Sequence, residues 1–276
     1  MSSLKPGQIV KHSILAIFSI LAVFPIYVML TASFMTREDF LRSPLGLLGI
    51  SLNLDAYRTV LNDQFVSGLL SSVLLTSVAV PITVVLAALA AWGLAHWEFR
   101  GRDLLLAGIV SLMIVPPAVL LVPLFTMGSF AGLISTYQGV TFIYVGFMLP
   151  LSIFILVGFF RDIPKSLLEA AEIDGASPLQ CFTKIVVPLA KAPLVTIVVL
   201  NVLYVWNELL IALVFLQDSE KKTLMIVLTG LQGRFTVNVP VIMAGLTLSM
   251  LPTALLYLFG QRYFQRGLVA GATKGE

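Results

Sequence analysis

The stretch Arg161-Asp-Ile-Pro-Lys-Ser-Leu-Leu-Glu-Ala-Ala-Glu-Ile-Asp-Gly-Ala-Ser-Pro-Leu-Gln-Cys-Phe-Thr-Lys-Ile-Val-Val-Pro188 is punctuated as two short helices joined by a sharp turn. Pro164 suits the first turn of a helix, where its missing N–H is not needed, and Asp162 complements the positive helix end. Residues 165–173 are mostly strong helix formers. Gly175 stands where that helix must stop, as the residue type that most readily adopts left-handed backbone, and a Cβ there is expected to meet backbone. Ser177 then reads as an N-cap, with Pro178 at the first helical position and Gln180 closing a Ser-x-x-Gln capping box. Pro188 ends the second helix. A rigid, exposed helix–bend–helix of this kind is suited to docking.

Outward from this segment the chain is apolar. No Asp, Glu, Lys or Arg occurs between Lys11 and Arg37, between Asp63 and Glu98, between Asp103 and Arg161, or between Arg234 and Arg262, and only Glu208 interrupts Lys191 to Asp218. Hydrophobic residues make up 58% of the 276 residues and charged ones 11%, and the mean hydropathy is +1.00. Such a surface belongs in lipid, where roughly 20 apolar residues span the hydrocarbon core. The run from 104 to 160 is broken by polar residues between Gly128 and Gly139 and makes two spans. Six are expected, over residues 12–34, 67–95, 104–128, 139–160, 193–216 and 241–260. The fold class is therefore all-α, a polytopic membrane helix bundle.

An even number of spans puts both termini on one face. Eleven of the 17 Lys and Arg residues fall on that face and six on the other, so the positive-inside rule makes the termini and the loops at 96–103 and 161–192 cytoplasmic. The pI near 9.0 then follows from topology and calls for no nucleic acid. The first apolar segment is long for a signal peptide and lacks a small-residue cleavage pattern before Arg37, so it is expected to be retained. Cys181 is the single cysteine, which excludes an internal disulfide. It reads as a small buried side chain.

Pro25, Pro81, Pro116, Pro117, Pro123 and Pro252 fall inside the expected spans and predict kinks. Ala79, Ala87, Ala88, Ala90, Ala91 and Gly93 give the second span a small-residue surface for close packing. Residues 35–66 read as a surface cap or short helices. Glu208 lies within the fifth span, and an ionisable group there lines a pathway or makes an interhelical hydrogen bond. No Gly-x4-Gly-Lys-Ser/Thr loop occurs, so this chain cannot cradle ATP phosphates. His12 and His96 lie at span ends, which argues against a hydrolase inside the bundle. A proline-kinked bundle with one buried acid also fits a secondary transporter for a small polar solute, although no two-fold internal repeat is evident.

Glu169-Ala170-Ala171, with Gly175, Ile185, Val187 and Pro188 at fixed offsets, resembles the EAA loop of ABC importer membrane subunits, where Leu stands in place of Val187. Glu98-Phe-Arg-Gly-Arg102, Trp206-Asn207-Glu208 and the C-terminal residues 266–275 extend the likeness to the carbohydrate group, in particular the smaller permease of maltose-type importers. The resemblance implies a type I ABC importer permease fold, a single permease domain over 1–276, and a coupling loop at 161–190. Contact with the ATPase would fall to Glu169, Ala170, Ala171, Asp174, Gly175, Ala176, Ile185 and Pro188, and a pathway or gating role to Trp206, Asn207 and Glu208. The implied partners are a second homologous permease, two cytoplasmic ATPase subunits that bind ATP and Mg, and an extracytoplasmic solute-binding protein that the loop at 218–240 would enter. The C-terminal tail from Gly267 would reach toward the ATPase. The setting is the bacterial or archaeal cytoplasmic membrane with its lipid. No cofactor is expected in this chain, and its solute is implied to be a carbohydrate or oligosaccharide.

Overall fold

Two consecutive prolines break the helical run at residues 115–117. The ring of Pro116 keeps Val115 out of the helical region (φ −81°, ψ 114°), while Pro117 is preorganised to begin a new helix. The helices on either side, Arg102–Ile114 and Pro117–Phe130, therefore meet at 98°. The kink expected at these prolines is present, and the span read over 104–128 is two helices in place of one.

The computed structural model describes residues 6–45, 52–231 and 237–272. Among them the helices are α1 (Pro6–Ser33), α2 (Arg37–Arg42), α3 (Asp55–Val60), α4 (Asp63–His96), α5 (Arg102–Ser111), α6 (Pro117–Phe130) and α7 (Tyr137–Phe160). Then come α8 (Lys165–Ile173), α9 (Pro178–Cys181), α10 (Val187–Leu189), α11 (Lys191–Asn207), α12 (Leu210–Phe215), α13 (Leu224–Gly230) and α14 (Val239–Ala272). Four helices are individually long and apolar enough to cross a bilayer, and the two bent pairs bring the count to six if each is one span. The second pair, Pro178–Leu189 with Lys191–Asn207, bends by 77°. The expected span over 193–216 is corrected too, because helix stops at Asn207 and restarts at Leu210.

The chain divides into two units. The first, residues 1–66 and 227–251, holds the short helices α2 and α3 where a surface cap or short helices were expected. Its joint is polar and aromatic: Ser33 and Tyr57 share a hydroxyl hydrogen bond of 2.7 Å, and Tyr57 lies 5.1 Å from the Phe34 ring. Gly245 lets α14 approach α13, since a Cβ there would stand 2.7 Å from Leu228.

The second unit, residues 67–226 and 252–276, holds two apolar cores. One gathers Trp92, Leu94, Leu156, Phe160, Ile163, Leu168 and Phe182, and the other Leu75, Tyr144, Met148, Val205, Ile211 and Phe215. Ala79, Ala87, Ala88 and Ala91 are buried as expected, giving α4 the close packing that small side chains permit. Between α7 and α11, Asn201 donates to Ser152 at 3.0 Å in the interior, which satisfies two groups that would be costly to leave unpaired in an apolar setting.

Candidate functional site

The segment after α7 folds as its punctuation predicts. Asp174 caps α8, Gly175 takes φ +81°, and Gly175 N–H and Ala176 N–H donate to the carbonyls of Glu172 (3.0 Å) and Ala171 (2.9 Å). These two bonds together are a Schellman motif. Ala171 and Ala176, the pair that such a motif brings into apolar contact, both pack on the core containing Leu168 and Phe182. Space around Gly175 is open, with no heavy atom within 4 Å of where a Cβ would stand. The expected collision with backbone is therefore corrected: glycine is required by the left-handed φ alone. Ser177 Oγ accepts from Gln180 N–H at 3.3 Å, and Gln180 Oε1 accepts from Ser177 N–H at 2.8 Å, completing the capping box. Pro188 lies inside α10, and the chain turns after it at Ala190.

Burial sorts the eight residues of this knob into two groups. Ala171, Ala176 and Ile185 are partly buried against the unit's own core, whereas Glu169, Ala170, Asp174, Gly175 and Pro188 face outward. Leu168, 2% exposed, anchors the helix from beneath. Sequence reasoning missed Ile173 and Leu179, which are 86% and 66% exposed and flank the bend. Their signal is an apolar side chain directly beside a helix stop or start, where no covering element follows. Lys165, the first residue of α8, donates to Glu98 at 2.9 Å. That hydrogen bond and the neighbouring ammonium hold the Glu98 carboxyl below the usual carboxylate range.

Glu208 occupies a different kind of joint. It follows α11 in extended backbone, φ −72° and ψ 123°, so it sits between two helices and not within one. Its Oε1 accepts from Ile211 N–H (2.8 Å) and its Oε2 from Ala212 N–H (3.0 Å). The carboxylate thus satisfies the otherwise orphaned first donors of α12 and complements its positive end. Oε2 also accepts from the hydroxyl of Tyr144 on α7 at 2.8 Å. The ring of Tyr204 stands edge-on to Tyr144 at 6.2 Å, and its buried hydroxyl has no hydrogen-bond partner among the described residues.

The three residues of the Trp-Asn-Glu group therefore diverge. Asn207 is exposed and donates back to the Leu203 carbonyl at 2.7 Å. Trp206 is buried and borders a cleft of about 370 Å³ with Val73, Val80, Pro81 and Pro252. At the other end of α12, Ser135 (φ 55°) accepts the N–H groups of Gln217 and Asp218 on its Oγ. Its carbonyl accepts Lys221 Nζ at 2.7 Å. Among the described residues no group of three or more His, Cys, Asp or Glu side chains is placed to hold a metal.

The described residues make a helical membrane chain with two broken spans and an exposed helix–bend–helix. Residues 83–269 match the family described as binding-protein-dependent transport system inner membrane component, and the chain belongs to that family. It is 34% identical over 275 residues to a putative ABC transporter permease protein of Caldicellulosiruptor sp. (strain Rt8B.4), covering 100% of both chains. It is also 34% identical to the trehalose/maltose transport system permease protein of Thermococcus litoralis, over 98% of this chain and 99% of that one. Its fold matches a chain in the crystal structure of a bacterial ABC transporter involved in import of the acidic polysaccharide alginate. There the TM-score is 0.83 and the identity 25%, over 96% of this chain and 100% of the other. The protein is thus a membrane permease subunit of an ABC importer, and ATP hydrolysis belongs to a separate subunit.

Proposed function

We propose that this chain is one half of the translocation pathway of a carbohydrate or oligosaccharide importer, acting as a single permease domain paired with a second, homologous permease. Its relatives named for trehalose/maltose and for alginate support the solute class. The knob at 161–190 lies on the cytoplasmic face with both termini, in a bacterial or archaeal cytoplasmic membrane. There Glu169, Ala170, Asp174, Gly175 and Pro188 meet one of two ATPase subunits that bind ATP and Mg, with Ile173 and Leu179 as apolar contacts. Ala171, Ala176 and Ile185 act from within, by fixing the knob to the bundle. The observation that carries this reading is an exposed helix–bend–helix, capped on both sides of the bend, whose outer surface offers the carboxylates of Glu169, Glu172 and Asp174 beside uncovered apolar side chains.

Glu208 is assigned to the architecture of the pathway and not to solute contact, because its carboxylate is already engaged by three donors. Trp206 forms part of the pathway wall. The loop after Asp218 meets the solute-binding protein on the outer face, and the residues of it at 232–236 lie outside those described, as do those at 273–276 of the C-terminal tail. Two measurements test the proposal. Cysteines placed at Ser166 and Ser177 should react only with reagents that reach the cytoplasm, and one at Ser219 only from outside, and the reverse pattern overturns the topology. In vesicles containing the whole complex, Glu169→Ala should lower uptake and solute-stimulated ATPase activity together, and a panel of sugars against organic ions should stimulate through sugars. Stimulation by ions alone overturns the solute class.

A further inference from the structure

The charged stretch from Glu98, in the loop after α4, to Asp103, in the first turn of α5, touches the knob at Lys165 and again at Arg161, and its geometry is specific. Gly101, the N-cap of α5, takes φ +90°, a left-handed conformation that glycine adopts most readily. Glu98 Oε1 then pairs with Lys165 Nζ at 2.9 Å, and Asp103 Oδ1 pairs with Arg161 Nη2 at 2.8 Å. Lys165 opens α8, and Arg161 closes α7. The two ion pairs thus bracket the entry to the knob, one joining it to the loop after α4 and the other to the first turn of α5.

Beneath them lies an apolar contact between the same elements. Leu168 belongs to one core with Trp92 and Leu94 of α4, and Leu106 and Ile109 of α5 pack against that core. Trp92 stacks on His96 at 4.0 Å and meets Phe182 at 5.8 Å. That contact, made by Leu168 with Ala171 and Ala176 packed beside it, sets where the knob sits on the bundle. The two charged links tie the N-terminal side of α8 to Glu98 and Asp103 and oppose its sliding across the contact.

We infer that Glu98 and Asp103 are positioning residues for energy coupling: through Lys165 and Arg161 they tie the knob to α4 and α5, so that a displacement of the knob is delivered to those helices. The inference rests on the reading that α8 docks on the ATPase. Stability gives little reason for these pairs, since the Lys165 and Glu98 side chains are 74% and 75% exposed, and solvent-exposed ion pairs contribute little to folding. Their value lies in fixing direction.

The test uses the complete complex in vesicles, with solutes transported per ATP hydrolysed as the readout and the melting midpoint as a control. Glu98→Lys should leave melting and co-purification of the ATPase unchanged while lowering transport per ATP roughly threefold, the scale set by one exposed pair. Glu98→Lys combined with Lys165→Glu, which restores the pair in reverse, should recover most of the loss. Arg161→Asp with Asp103→Arg provides the same comparison at the second link. Parental transport per ATP in Glu98→Lys, or failure of both reversed pairs to improve on their single variants, overturns the brace. Glu169→Ala in the same vesicles separates the layers. If Glu169→Ala uncouples while Glu98→Lys does not, the brace falls alone, and if neither uncouples, docking through α8 falls with it.

Discussion

The joint at Gly175 and the joint at Glu208 both connect one helix to the next, and they are closed by opposite means. At Gly175 every bond that shapes the turn lies within about ten residues: two backbone bonds of a Schellman motif, then a reciprocal Ser177–Gln180 cap. At Glu208 the turn is closed by one side chain that satisfies two backbone donors and also reaches Tyr144, 64 residues earlier. The first joint is exposed and the second lies at the edge of an apolar core. Local closure leaves a knob free to present its surface to a partner. Closure through a distant helix makes the joint part of the bundle.

This contrast is sharpest in stability. Glu208→Leu leaves the Tyr144 hydroxyl and two helix N–H groups without an acceptor, at about 1 to 3 kcal/mol for each buried group so orphaned. The purified subunit should melt well below the parent in detergent, with Glu208→Gln intermediate because an amide oxygen still accepts. An unchanged melting midpoint for Glu208→Leu would show that the carboxylate is not holding the joint.

Gly175→Val tests the other side. Forcing a β-branched residue to φ +81° costs roughly 1 to 3 kcal/mol of local backbone strain. The open space around the site lets the knob distort without disturbing the spans. Insertion and melting of the bundle should stay near parental while solute-stimulated ATPase activity and uptake fall in reconstituted vesicles. Gly175→Asn should be milder, because Asn tolerates left-handed backbone better than other side chains. If Gly175→Val melts with the bundle like Glu208→Leu, the two joints are not different in kind.

Ser177→Ala removes one half of the capping box and should cost about 1 kcal/mol in the second helix of the knob. Hydrogen exchange at Leu179 and Gln180 should quicken with little change elsewhere. Tyr144→Phe is the smallest expected change at the buried joint, about 1 kcal/mol for one of three bonds to Glu208. A larger loss than that of Glu208→Gln would place the weight of the joint on Tyr144 and not on the cap.

Much of the knob was legible because its signals are local. Pro at a first turn, Gly at a stop and Ser-x-x-Gln at a start each act over four residues or fewer. The membrane character was legible for a similar reason, since runs without charge state the solvent directly. Where the reading went wrong, the deciding force was non-local or was a matter of degree. Paired prolines announced a kink at 116–117, but the 98° angle depends on what α5 and α6 each pack against. The break at Glu208 was announced only by Asn207: one turn former between apolar residues, with no Gly or Pro beside it, is too weak a signal to end a helix on its own.

The sequence by itself determined that this is an all-helical membrane chain with a capped, protruding bend, because hydropathy and capping depend on residues near one another. The tertiary structure alone decided which knob residues face outward and which inward, since that depends on the core formed with Trp92 and Phe182. It likewise decided how the Glu208 carboxylate is used, because only the break after Asn207 turns the N–H groups of residues 211 and 212 onto it, and only packing brings the Tyr144 hydroxyl from 64 residues away.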